Sequence, residues 1–433
     1  MRPRRPRRVR LAILFALIVP AAALGQQEPV ADNPLVLLRT GQDQKKAVKV
    51  NEAIYQAIGF GNTFMVTTPE GNVIIDTSMP FNAQRHKQLL QAENAGPIKY
   101  IILTHGHGDH TGGLAAWKQS GTQIIAQKSH VEFAHYQARL AGFYAARNAA
   151  QFALPVPAPG PWAGNYGAKI QPTILFDDRY EFELGGVKIE VYSTPGETYD
   201  HLTVWIPKYK AAFVGDNYYT SFPNIYTLRG TEPRWALDYI ISLNRVLALK
   251  PEIVLPSHGD PIHGNAEITR RLTQYRDAIQ YVHDETVKGM NAGKDVFTLM
   301  REIKLPRELQ VGESYGNLIW SIRGIYEGYV GWFDLKPATM YDVPVSSVYP
   351  DVVRLAGGAD AVAKLATERA EAGRAVEALH LAEIALAADA NHRMALEAQL
   401  KALTVLRDRC RNSNERGWLE YSISQTRKKL AGR

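Results

Sequence analysis

Cysteine is almost absent: Cys410 is the single one in 433 residues. One thiol forms no intramolecular disulfide, thiolate zinc cage or iron–sulfur cluster, so any metal must be held by histidine and carboxylate. Long apolar runs are scarce too. The longest, Leu11 to Ala23, has about 13 residues, short of the roughly 20 that span a bilayer. Surplus charge is modest: 50 Lys and Arg against 43 Asp and Glu give a formal +7. Arg2, Arg4, Arg5, Arg7, Arg8 and Arg10 carry most of it. Without that arm the balance is about +1, which leaves a nucleic-acid partner no electrostatic footprint. What the chain does have is 45% apolar and 21% charged residues, enough to bury a core and exclude a disordered or fibrous protein. At about 150 residues per domain, the length suits two or three domains.

The arginine arm runs into the apolar stretch and then into small residues, with Ala21, Ala23 and Gly25 suiting a cleavage site. This order predicts a signal peptide over 1–25, an N-terminal linker over 26–48, and export to the periplasm or beyond. The Arg7-Arg8 pair does not choose a route, because the whole arm is arginine-rich. Near-absence of cysteine fits an oxidising compartment.

From Asn51 onward the pattern is that of strands interleaved with helices. Phe60–Val66 and Val73–Asp76 flank the turn sequence Pro69-Glu-Gly-Asn72 and predict a hairpin. Helical stretches are expected near 83–93, 114–119 and 128–150, and strands at 100–103, 123–126, 180–184, 187–193, 202–206 and 211–215. That alternation predicts a layered α/β domain over 49–290. Beyond it the chain is helical. Ala359–Ala372, Ala375–Ala388 and His392–Leu406 carry apolar residues at three-and-four spacing, with breaks at Gly373 and Asp389-Ala-Asn391. An all-α, tetratricopeptide-like domain is expected over 291–433.

Leu103-Thr-His105-Gly-His107-Gly-Asp109-His110-Thr-Gly-Gly113 places three imidazoles and a carboxylate directly behind an apolar strand. The glycines let alternate side chains converge, and nitrogen and oxygen donors at this density suit Zn²⁺. A solvated, merely histidine-rich loop is the competing reading, but four titratable groups behind one strand argue against it. The run is the His-x-His-x-Asp-His signature, and on it the chain resembles the metallo-β-lactamase superfamily. That resemblance implies a four-layered αββα sandwich with two Zn²⁺ per chain at one edge of its sheets. It implies His105, His107 and His201 on one zinc, Asp109, His110 and His258 on the other, and Asp216 between them. His201 precedes the strand Leu202–Ile206, Asp216 ends Ala212-Phe-Val-Gly-Asp216, and His258 ends Ile253-Val-Leu-Pro-Ser-His258. His263 competes for the last place. Asp76, in Ile75-Asp-Thr77, fits the superfamily's carboxylate that orients a ligand; a turn-forming Asp is the alternative.

Two zincs lower the pKa of a shared water from about 15.7 toward about 7. The expected chemistry is therefore hydrolysis by a metal-bound hydroxide, with Asp109 and Asp216 as catalytic carboxylates that orient it or take its proton. Two further stretches, Asn224-Ile-Tyr-Thr-Leu-Arg229-Gly230 and Tyr315-Gly-Asn317 through Trp332-Phe-Asp334, resemble bacterial alkylsulfatases of the same superfamily, over roughly residues 50–430. This implies alkyl sulfate esters as the small-molecule substrate and a homodimer built through the helical domain. It also implies Arg229 as the substrate-binding residue that grips sulfate, for which a guanidinium fork is suited; a surface ion pair is the plainer role for Arg229. The chain departs from that family in three ways. Alkylsulfatases typically use glutamates as third ligand and bridge, where His201 and Asp216 are offered here. Trp320 stands where a histidine is usual, and no sterol-carrier-like domain is expected after the helices. Lactonase, thioesterase-like or β-lactam-hydrolysing activity is the alternative, while a nuclease would want a basic channel.

Overall fold

The structure is a computed structural model that describes residues 34–156 and 171–432. The expected signal peptide, residues 26–33 of the expected linker and most of the proline-rich break at 155–161 lie outside the described residues.

Seven strands make the first sheet, in chain order: β1 (Val48–Lys49), β2 (Ile54–Ala57), β3 (Thr63–Thr68), β4 (Gly71–Ile75), β5 (Ile98–Ile102), β6 (Gln123–Gln127) and β7 (Ile174–Phe176). The second sheet holds β8 (Arg179–Leu184), β9 (Val187–Ser193), β10 (Leu202–Ile206), β11 (Ala211–Gly215), β12 (Ile253–Pro256) and β13 (Ile262–His263). Side-chain alternation explains how they stack. Phe64, Val66, Val73, Ile75 and Ile102 face Val191, Leu202, Val204, Phe213 and Leu255 across the inter-sheet core. Their neighbours Met65, Ile74 and Ile101 face the opposite way.

Helices cover both outer faces. The stretch of chain that forms the first sheet also carries α1 (Pro34–Leu38), α2 (Pro80–Gln91), α3 (Gly108–Thr111), α4 (Leu114–Trp117), α5 (His130–Arg139) and α6 (Ala141–Gln151), of which α2 and α4 pack on its outer face. Leu90 of α2 and Leu114 and Trp117 of α4 seal its outward residues. Outside the second sheet lie α7 (Ala236–Ala248), α8 (Asn265–Asn291), α9 (Val296–Glu302) and α10 (Leu318–Val330). There Trp205, Ala212 and Val214 pack with Tyr239, Leu243, Tyr275, Ile279 and Ile322. The result is a four-layered αββα sandwich. The helix expected near 83–93 begins earlier, because Pro80 occupies its first turn, where a missing N–H costs nothing. The stretch 128–150 is two helices, interrupted at Leu140.

Strand direction sets where the chemistry lies. β4 runs parallel to β5, and β11 parallel to β12. Residues just past these four strands therefore gather at one edge, where ligands of open α/β sheets also bind. Asp76, the His105–His110 loop, Asp216 and His258 all occupy such positions.

The remaining chain forms α11 (Tyr349–Leu355), α12 (Ala359–Glu371), α13 (Ala375–Ala388), α14 (Arg393–Arg409) and α15 (Ser413–Leu430). Alanines line their contacts: Ala363, Ala366 and Ala370 of α12, Ala378, Ala382 and Ala385 of α13, and Ala395, Ala398 and Ala402 of α14 are all buried. Such small side chains let the helix backbones approach closely. α15 then returns to the sandwich. Asn412 caps it and donates to the Tyr315 carbonyl at 2.9 Å. Gly417 meets the Gln151 carbonyl of α6 so closely that a Cβ would stand 1.6 Å from that oxygen. Among the described residues no helix is long and apolar enough to cross a membrane.

Candidate metal centre

β5 ends at Ile102, and the next residues turn around a buried carboxylate. Asp76, fully buried and at φ +56, accepts from the Thr104 amide at 2.8 Å, the Thr104 hydroxyl at 2.8 Å and the Ser257 hydroxyl at 2.9 Å. It also accepts from His110 Nδ1 at 2.9 Å. A histidine that gives its Nδ1 proton to Asp76 presents Nε2 as a lone pair. Asp76 therefore fixes both the tautomer and the aim of His110.

Two groups of potential ligand atoms result. Asp109, His110, Asp216 and His258 form one; His105, His107 and Asp216 form the other, and Asp216 belongs to both. His258 Nε2 lies 3.1 Å from Asp216 Oδ2 and 3.3 Å from Asp109 Oδ2. His110 Nε2 lies 3.3 Å from Asp109 and 3.4 Å from Asp216. In the second group, His105 Nε2 and His107 Nδ1 are 2.9 Å apart, and His105 Nε2 is 3.8 Å from Asp216 Oδ2. His110 Nε2 and Asp216 Oδ1 are buried without a hydrogen-bond partner. Orphaned polar atoms are costly in a protein interior, and a cation would satisfy both.

Protonation follows the same demand. Burial pulls His258 and His110 down, but the Asp216 and Asp109 charges outweigh it: His258 is pushed up to about 10 and His110 well above the ordinary imidazole value. Burial would raise Asp109 and Asp216, yet those same imidazoles hold both well below the usual carboxylate range. His105 and His107 go the other way, lowered by burial first and then by the neighbouring cationic His110 and Arg229 respectively. The two carboxylates thus demand positive charge, which protonated His110 and His258 supply beside the neutral His105 and His107; a bound cation would displace those protons and leave both Nε2 lone pairs as ligands.

His201 is not brought into either group. Its Nε2 accepts the Asp216 amide at 3.1 Å and its Nδ1 faces the Thr194 hydroxyl at 3.3 Å, so both ring nitrogens are spent inside the fold. Burial lowers it to about 4, a neutral core histidine. The group that does face His107 is Glu197, whose Oε1 stands 3.8 Å from His107 Nδ1. Its other oxygen pairs with Arg234 at 2.5 Å and accepts from Tyr239 at 2.8 Å. Burial raises the Glu197 carboxyl despite the Arg234 charge. Sequence reasoning passed over Glu197 as part of the approach to His201. The signal was present, since the resemblance asked for a glutamate at the third position. His263 sits exposed on the edge strand β13, outside both groups.

Arg229 is half-buried, with Nη2 3.3 Å from His107 Nε2. A His107 that lends Nδ1 to a metal carries its proton on Nε2, and two donors then face each other. A cavity of about 240 Å³ opens beside His258, lined by Leu37, Phe60, Tyr219 and Tyr315 among others.

Residues 57–258 match the metallo-beta-lactamase superfamily, and residues 298–429 match the family described as alkyl sulfatase dimerisation. A metallo-beta-lactamase domain is followed here by an alkyl sulfatase dimerisation domain. A linear primary-alkylsulfatase of Pseudomonas sp. is 29% identical, with 85% of this chain and 74% of that protein covered. An alkyl/aryl-sulfatase of Saccharomyces cerevisiae is 27% identical, over 83% of this chain and 60% of its own length. The solved structure of a stereoselective inverting sec-alkylsulfatase from Pseudomonas sp. shares this fold. Its TM-score is 0.80 at 23% identity, covering 90% of this chain and 66% of that one. The chain thus spans 60% of the yeast relative and 66% of the solved structure.

Proposed function

We propose that the chain is an exported, homodimeric, dinuclear zinc hydrolase of alkyl sulfate esters. The observation that carries the substrate class is Arg229, a guanidinium standing 3.3 Å from His107 at the rim of the metal centre, on a chain similar to alkylsulfatases over 85% of its length. The donors fit zinc, being imidazole nitrogens and carboxylate oxygens only, with two of their buried atoms otherwise unpartnered. His105, His107 and Glu197 would hold one ion, Asp109, His110 and His258 the other, with Asp216 shared. Zinc bound in this way supplies a nucleophile from water at neutral pH and polarises the ester oxygens.

The remaining work falls to the chain. Arg229 binds the sulfate oxygens through its two-pronged fork. Asp109, the more exposed of the two central carboxylates, orients the attacking water and receives its proton. Asp76 keeps His110 in register from behind, as Arg234 and Tyr239 do for Glu197. The apolar walls of the cavity beside His258 exclude water from the alkyl portion. Export rests on the arginine arm and apolar run of residues 1–25. The homodimer rests on the dimerisation-family match. The test is metal analysis of the full chain followed by a panel of alkyl sulfate, phosphodiester, lactone, thioester and β-lactam. Two zincs per chain and hydrolysis of the alkyl sulfate are expected; a preference for lactone or β-lactam would overturn the substrate assignment.

A further inference from the structure

The loop that carries Arg229 is held from outside the metal centre. Thr227–Gly230 is a tight turn, closed by the Gly230 amide donating to the Thr227 carbonyl at 2.9 Å, with Gly230 at φ +96. The carbonyls of its two central residues both end on one side chain. Arg147 of α6 donates from Nε to the Arg229 carbonyl at 2.5 Å and from Nη2 to the Leu228 carbonyl at 2.6 Å. Gln151, on the same helix and buried, accepts the Arg229 amide at 3.2 Å. Arg147 itself lies between two rings, 5.2 Å from Phe143 of α6 and 5.3 Å from Trp418 of α15. Close by, Gly417 of α15 rests on the Gln151 carbonyl.

We propose that Arg147 is a positioning residue for anion recognition, one that fixes the Leu228–Arg229 turn so the Arg229 guanidinium stays at the metal centre. α15 holds Arg147 in place through Trp418. The proposal rests on the reading of Arg229 as the sulfate grip. Its physical basis is preorganisation. A long, rotamer-rich side chain loses freedom when it closes on an anion, and a fixed backbone lowers that cost. A planar fork suits this task because its parallel N–H groups meet two carbonyls at once, which an ammonium cannot do.

The test uses the metal-loaded full chain and two readouts. The first is calorimetric binding of octanesulfonate, whose C–S bond resists hydrolysis; the second is KM and kcat on an alkyl sulfate and on an uncharged ester. Losing charge-assisted contacts of this kind predicts binding of the sulfonate weaker by roughly 10- to 100-fold in Arg147→Ala. The loss should appear mainly in KM for the sulfate and be smaller on the uncharged ester, and Arg147→Lys should recover only part. Arg147→Ala combined with Arg229→Ala should bind no more weakly than Arg229→Ala alone, because both remove the same interaction. Additive losses, or equal losses on both substrates, overturn the proposal. Full sulfonate affinity in Arg147→Ala beside a weakened Arg229→Ala overturns it too, while leaving the sulfate grip standing. Full affinity in Arg229→Ala overturns the sulfate grip itself. Should Arg147→Ala fail to fold, Arg147→Lys carries the same comparison, since it keeps the stem and the charge.

Discussion

At the scale of single residues the chain separates two side chains that its sequence places almost together. Glu197 and His201 flank one loop between β9 and β10, yet only Glu197 faces His107. Glu197→Gln should lower metal affinity by more than the roughly 10- to 100-fold typical of groups that only support a ligand, since the proposed role of Glu197 is to ligate. His201→Gln should reduce stability while leaving metal content intact, and competition with a chelator ranks the two; the reverse ranking would return His201 to the ligand set. Asp76→Asn keeps the side-chain shape but removes the charge on which four donors converge, so chelator resistance should fall here too. On the proposed sulfate grip, Arg229→Ala deletes a bidentate contact to an anion. That typically costs about 2–5 kcal/mol, on the order of 30- to several-thousand-fold in kcat/KM on an alkyl sulfate. Arg229→Lys should restore part of it, and equal losses on an uncharged lactone would make Arg229 structural.

At the scale of elements, α2 shows how a helix is fastened by one histidine. His86 donates from Nε2 to the Ile58 carbonyl at 3.0 Å and accepts from the Thr63 hydroxyl at 3.0 Å on Nδ1, an arrangement that requires the neutral ring. Burial, aided by Arg85, lowers it to about 4. The unfolded chain takes up its proton near pH 6.5, before the folded one does. Stability from this site is therefore complete above that pH and lost as pH falls toward 4, by up to about 3 kcal/mol. Urea midpoints from pH 7 to 5 should fall less steeply in His86→Gln than in the parent, and identical slopes would remove His86 from the account. The elements themselves were largely legible. Apolar runs bounded by turn residues marked β9, β10 and β11, and alanine-rich periodicity broken at Gly373 marked α12 and α13. The His105–His110 loop was legible because its chemistry is written in consecutive residues. Glu197 was not, because its place depends on the path of the Pro195–Asp200 loop, and neither was Arg234, whose partner lies on another element. Two-residue edge strands such as β1 and β13 carry too few side chains to show alternation.

At the scale of the whole molecule, apolar side chains stand in the open between α10 and α12. Trp332 is 75% exposed, Leu335 85% and Leu355 84%, with Tyr341 and Val345 exposed between them. Bare apolar surface of this extent asks for a cover, and the dimerisation-family match makes a second copy the expected one. Sedimentation at micromolar concentration should show a dimer, and Leu335→Asp with Val345→Asp should shift it toward monomer; a monomeric parent would end this expectation. The contact between Gly417 and Gln151 has a consequence in time. It closes one of the longest loops in the chain, and contacts between residues so distant in sequence form late, since loop-closure entropy must be overcome first. Both sheets can pair their strands while α6 still lacks its neighbour. On dilution from denaturant, helical and sheet signals should therefore return ahead of alkyl-sulfate turnover. The interval between them is the time the last helix takes to find the sixth.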